Sequence, residues 1–238
     1  MPKQDINPWT LLRAGTVEQE AGLRTVQQAY AGQPHPSHAM ELGVALLWLR
    51  KYASAWEHFR ATIDADPARS GDNDYGMAGV AKWCLGEPDE AVAHWRAGLA
   101  ANYARASGLG VIMPLLLFFA SVVKPETFDE GSARKLLLEK TKDLRIRNWP
   151  GPVARFVLAE IDELQNYCRG VDEEETRDRQ WLTEFYKSLI RRSHGTISGF
   201  KDSMHKLTDT SQPEWQDEAV LLSRIWNEEY FLARHAAD

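Results

Sequence analysis

The chain has 238 residues, 44% of them hydrophobic and 26% charged, with a formal net charge of −6. This is an ordinary globular balance, and its acidity argues against nucleic acid as the main ligand, since phosphate binding needs a basic footprint. Cys84 and Cys168 stand far apart with no CxxC pattern, so no disulfide framework is expected and a reducing cytoplasm is the default.

Met1–Arg13 has no basic segment followed by an apolar core, so no signal peptide is expected there. The segment PHPSH follows at 34–38. His35 and His38 have a spacing that would suit a metal on one helical face. Pro34 and Pro36 instead make this a loop leading into a helix, with Ser37 as N-cap, and no third ligand is near. No metal site is assigned.

From His38 to Pro67 the chain predicts a helix, a tight turn and a second helix. Met40, Val44, Leu47 and Trp48 recur at helical spacing; Lys51 and Tyr52 interrupt; Ala55, Trp56, Phe59 and Ile63 resume it. Pro67 closes the unit, because proline cannot donate a backbone hydrogen bond. A polar linker, RSGDND, carries Asp72 and Asp74.

A second unit from Tyr75 to Tyr103 can be laid over the first with an offset of 36 residues: Gly43 falls on Gly79, Ala55 on Ala91, Phe59 on Trp95 and Ile63 on Leu99. Its turn is Leu85-Gly86-Glu87-Pro88, glycine ending one helix and proline opening the next. The small residues allow close helix approach while the aromatics fill the space beside them. An internal period of this size marks a stacked-repeat architecture.

These residues resemble tetratricopeptide repeats, whose pattern has a small residue in the first helix (Gly43, Gly79), an early alanine in the second (Ala55, Ala91), an aromatic four later (Phe59, Trp95) and a closing proline (Pro67). The turn glycine present at Gly86 is Arg50 in the first unit, and Tyr103 stands where proline is expected. The resemblance implies that the first helices line a concave groove, with Met40, Val44 and Trp48 from one unit and Met77, Val80 and Trp83 from the other. Trp48 and Trp83 are there candidate partner-binding anchors. Gap-filling between irregular helices is the competing role.

Leu109–Val123 reads LGVIMPLLLFFASVV, 15 residues without a charge. Crossing a bilayer takes about 20 apolar residues, so a buried helix with Pro114 near its start is expected and no membrane partner. Glu126–Asp143 predicts an amphipathic helix around Ala133, Leu136 and Leu137. Asn148–Pro152 is a rigid loop. Val153–Tyr167 predicts another helix on Val153, Phe156, Val157, Ile161 and Leu164. Trp181–Pro213 could be a third, degenerate repeat, with Ser188 at the small position and Gly195 at the turn. A last helix is expected within Pro213–Ala236. No alternating run argues for a sheet. The expected fold is all-α: a single domain over 1–238, an α-solenoid of antiparallel helix hairpins with clear repeats at 38–67 and 75–103, a degenerate C-terminal part and about nine to twelve helices by typical lengths.

Little points to catalysis or to a cofactor. There is no phosphate-cradling glycine loop, no GxSxG and no HExxH. Glu160 or Glu163 could meet His194 only through the fold. Cys84, beside Trp83 and Leu85, reads as a small buried thiol. His58 and His94 occupy equivalent repeat positions and read as packing residues. Acidic clusters are the stronger lead: Asp72 and Asp74 in the linker, Glu87, Asp89 and Glu90 at the second turn, and Asp172-Glu173-Glu174-Glu175. They either solvate helix N-termini, where carboxylates suit the dipole, or steer a basic partner. The repeat resemblance implies a non-enzymatic protein-binding module. Its small, acidic, single-domain character resembles cytoplasmic bacterial immunity proteins that occlude a basic toxin domain, through Trp48, Trp83, Asp72, Asp74, Asp172, Glu173 and Glu174. The alternative is a scaffold or co-chaperone that clamps an extended peptide; a carboxylate clamp would want basic inner faces, where this chain has Val44 and Val80.

Overall fold

The computed structural model describes residues 16–32, 36–67, 70–101, 110–142, 148–170, 172–196, 198–209 and 228–237. These residues contain eleven α-helices and one short 3-10 turn, with no strand among them. The helices are α1 (Thr16–Gly32), α2 (Pro36–Trp48), α3 (Tyr52–Ala65), α4 (Asp72–Cys84), α5 (Pro88–Gly98), α6 (Ile112–Val123), α7 (Glu130–Thr141), α8 (Gly151–Val157), α9 (Glu173–Ser193), α10 (Phe200–Thr208) and α11 (Glu228–Ala237). Each helix from α1 to α8 packs on its neighbour in sequence; α9 packs on α6 and α8, and α11 returns to α4, α9 and α10.

The two sequence units form the same hairpin twice. In the first, backbone bonds run from Leu49 N to Ala45 O (3.1 Å), Arg50 N to Leu47 O (3.0 Å) and Lys51 N to Leu46 O (2.9 Å). In the second they run from Leu85 N to Ala81 O (3.1 Å), Gly86 N to Trp83 O (2.9 Å) and Glu87 N to Lys82 O (3.0 Å), each displaced by the sequence offset. Both turns need a left-handed residue: Gly86 has φ 78° and Arg50 has φ 55°. The glycine missing from the first unit is therefore a difference of residue, not of backbone. A side chain there costs about 1–2 kcal/mol relative to an ordinary conformation.

The small-against-aromatic pairing is equally literal. A Cβ on Gly43 would come within 2.9 Å of Phe59 Cε2, and one on Gly79 within 2.6 Å of Trp95 Cδ1. Trp95 is fully buried and donates its indole N–H to Gly76 O at 3.1 Å. The hairpins join through Trp56 on α3, whose Nε1–H donates to His94 Nε2 on α5 at 3.3 Å, while Lys82 Nζ lies 3.9 Å from its ring centre. His58 Nε2 donates to Ala39 O at 2.7 Å, joining α3 to α2.

The apolar run forms α6, buried from Met113 to Val122. No helix among the described residues is long and apolar enough to cross a membrane. The expected helix at Glu126–Asp143 is shorter, because Asp129 accepts a bond from Ser132 N at 2.7 Å and sets the start at Glu130. The helix expected over Val153–Tyr167 ends at Val157. Ala159 turns left-handed (φ 57°), Glu160 N bonds back to Arg155 O at 2.9 Å, and Arg155 pairs with Glu160 across the turn. The apolar positions Ile161 and Leu164 are then met by irregular chain and a 3-10 turn at Gln165–Tyr167. Periodicity alone could not see that stop.

From Trp181 onward α9 and α10 pair across a turn at Gly195 (φ 87°), and Trp181 Nε1 donates to Leu207 O at 2.8 Å. Of the last predicted helix, 213–227 lies outside the described residues; Glu228–Ala237 is helical. A chain of ring contacts crosses the core from Trp95 through Trp83, Phe119, Phe185, Trp181 and Tyr230 to Trp48, with centroids 5.0–6.4 Å apart. Such contacts add about 0.5–1.5 kcal/mol per pair beyond burial.

Candidate functional site

Two acidic regions stand out, one inside the protein and one on its surface. The inner one forms where α11 meets α4 and α9. Glu228 and Glu229 begin α11 and are 4% and 2% exposed; Asp72, at the start of α4, is 2% exposed. Tyr186 on α9 donates its hydroxyl to Glu229 Oε1 at 2.8 Å. Among the described residues Glu228 Oε1 has no hydrogen-bond partner. Gly76 leaves it room, since a Cβ there would come within 3.1 Å of Glu228 Cδ. Burial pushes the Glu228 carboxyl well above the usual carboxylate range, and the neighbouring Glu229 and Asp72 add to this. Glu229 is raised by burial too, against the pull of its own backbone N–H and of Tyr186. No group of three or more His, Cys, Asp or Glu among the described residues is arranged to hold a metal.

The outer region is the connector from α8 into α9. Between Glu160 and Glu175 the sequence has seven carboxylates and one basic residue, Arg169, so this stretch alone accounts for the chain's net charge of −6. Glu160, Asp162, Glu163, Asp172 and Glu173 are exposed, and Glu174 is half-buried. Asp172 caps α9 by accepting from Glu175 N at 2.8 Å. Glu160 pairs with Arg155 at 3.4 Å and Glu175 with Arg179 at 2.6 Å. Among the described residues no cation forms an ion pair with Asp162, Glu163, Glu173 or Glu174. A pocket of about 440 Å³ opens between Arg169, Gly170, Asp172, Glu173, Thr176 and Arg177. A larger cleft, about 720 Å³, lies between the end of α5 and α7, with Leu99, Phe128 and Leu136 beside Arg96, Lys135 and Glu139.

The sequence-derived site residues divide between these places. Trp83 is 5% exposed, stacked on Trp95 and edge-on to Phe119. Trp48 is half-buried: Tyr230 stacks on it at 5.9 Å, Arg234 lies 5.1 Å from its ring centre, and Arg234 Nη1 donates to its carbonyl at 2.9 Å. Thus α11 lies against the end of α2, beside the ring proposed as an anchor. Asp72 belongs to the buried cluster, and Asp74 accepts from Gly71 N at 2.9 Å. Asp172, Glu173 and Glu174 sit together at the start of α9. His194 is exposed at the far end of that helix, and no bond joins it to Glu160 or Glu163. The pair at His35 and His38 lies outside the described residues and side chains.

Sequence reasoning placed Glu228 and Glu229 within the expected last helix and gave neither them nor Tyr186 a role. The signal that could have found them is the run Tyr230-Phe231-Leu232-Ala233, apolar on every face of a turn, which marks a helix buried all round. Compared with known protein families, characterised proteins and solved structures, the chain matches none of them.

Proposed function

We propose that this chain is a non-enzymatic protein-binding module built on tetratricopeptide-like hairpins, and in particular a cytoplasmic inhibitor of the bacterial immunity type that holds a basic toxin domain on its acidic connector. The observation that carries this reading is the concentration of the whole net charge in 160–175. A chain segment with a large excess of negative charge steers a positively charged partner and speeds its encounter. Asp162, Glu163, Glu173 and Glu174 stand ready for arginine or lysine from outside. The twice-repeated hairpin supports the module half of the proposal, since repeat folds are used mainly for binding other chains.

A peptide-clamping scaffold is the second reading. The cleft between α5 and α7 favours it, because Arg96 and Lys135 flank apolar Leu99, Phe128 and Leu136 and could hold an acidic peptide end. The two readings part in one experiment. The tagged chain is purified with the product of its neighbouring reading frame. A one-to-one complex with a basic protein that weakens as salt rises supports the inhibitor. Binding that is lost on changing Arg96 and Lys135 and unaffected by neutralising Asp162, Glu163, Glu173 and Glu174 supports the clamp.

A further inference from the structure

The seating of α11 has a chemistry that the acidic-connector reading does not use. Glu228 and Glu229 enter a buried junction, packed on by the described elements α4, α9 and α10. From α4 comes Asp72, another acid; from α9 the neutral hydroxyl of Tyr186. From α6, Met113 approaches the same space beside Gly76. The buried residues of α10 are Phe200 and Met204, and its Lys201, Asp202, His205 and Lys206 are exposed. On α11 itself, Tyr230 is buried beside them and Arg234 is engaged with Trp48. No described cation forms an ion pair with either glutamate, and Glu228 Oε1 has no described donor.

We propose that docking of α11 on α4 is proton-linked: the helix stays seated while Glu228 carries its proton and lifts away from α4 when that carboxyl ionises. The step is a simple acid dissociation, with the proton passing to solvent. An unpaired carboxylate cannot stay in a buried site beside Asp72 and Glu229 without a large penalty. Separating α11 from α4 is the motion that rehydrates it and moves it away from Asp72. Burial raises the Glu228 carboxyl in the direction this requires. The latch would expose Trp48, the end of α2 and the start of α4 as pH rises.

Hydrogen exchange on the full chain tests this between pH 5 and 9, with rates corrected for the intrinsic pH dependence of amide exchange. One linked proton predicts that protection of the Tyr230–Ala236 amides falls by about tenfold per pH unit once Glu228 titrates. Amides of α5 should stay flat over the same range. Glu228→Gln, which keeps shape and cannot ionise, should flatten the slope in α11, leaving only the part that the neighbouring Glu229 contributes. Equal loss of protection in α11 and α5 would overturn a local latch in favour of global unfolding. An unchanged α11 slope in Glu228→Gln, or no slope in the parent chain, would overturn the linkage itself.

Discussion

A Cβ on Gly79 would sit 2.6 Å from Cδ1 of Trp95, a ring that is fully buried and held by its own hydrogen bond to Gly76 O. The indole can neither swing out nor give way. Gly79→Ala should therefore cost about 1–3 kcal/mol, the usual penalty of overpacking. Gly86 provides the contrast. Nothing lies within 4 Å of its added Cβ, but φ is +78°, so Gly86→Ala should cost only the left-handed penalty of about 1–2 kcal/mol. Urea unfolding of the two variants checks both. Only Gly79→Ala should also disturb the near-ultraviolet signal of the stacked Trp83 and Trp95.

Glu228→Gln should stabilise the chain at pH 8 and change little at pH 4. A carboxyl raised in the folded state contributes stability fully below its ordinary value of 4.5, and that contribution is lost as pH rises through the folded value. Removing the charge abolishes the loss. The gain at pH 8 amounts to about 1.4 kcal/mol for each pH unit by which the folded protein raises the carboxyl. Denaturant midpoints at the two pH values measure it, and equal shifts at both would contradict the burial argument.

Tyr186→Phe takes away the donor to Glu229 and leaves a carboxyl buried without it. Loss of this bond should cost about 1–3 kcal/mol, since the acceptor is charged or shares its proton. Combining Tyr186→Phe with Glu229→Gln should cost less than the two single changes added together, because they act on one bond.

On the acid side the histidines between helices set the trend. Burial lowers His58 and His94 from 6.5, so their neutral forms contribute stability above that value and lose it as pH falls through the depressed ones. Protonated His94 can no longer accept from Trp56. His94→Gln, which keeps a neutral acceptor, should make the loss between pH 6.5 and 5 shallower in a thermal melt. An unchanged slope would place the acid sensitivity elsewhere.

How much of this was legible in the sequence depends on the scale of the signal. The hairpins were, because Gly43, Gly79, Phe59 and Trp95 carry their packing in residue size. The buried run of α6 was legible from length and composition. Backbone events were not: Arg50 and Ala159 adopt left-handed turns that their side chains do not advertise. Nor was the burial of Trp83 or Asp72, which depends on α6 and α11 packing on α4 from far along the chain. The acidic run at Asp172–Glu175 was visible, whereas the exposure of Glu160, Asp162 and Glu163 on the connector emerged once the helix after Val153 was seen to stop at Val157.

The central claim is that the acidic connector binds a basic protein, and its most direct test is calorimetric titration with the product of the neighbouring reading frame. The parent chain is compared with a variant carrying Asp162→Asn, Glu163→Gln, Glu173→Gln and Glu174→Gln, all outside the core. At about 0.2–1 kcal/mol for each of four exposed charge pairs, the variant should bind roughly fourfold to several-hundredfold more weakly and respond less to salt. Equal affinity and equal salt dependence in the two proteins would contradict the account.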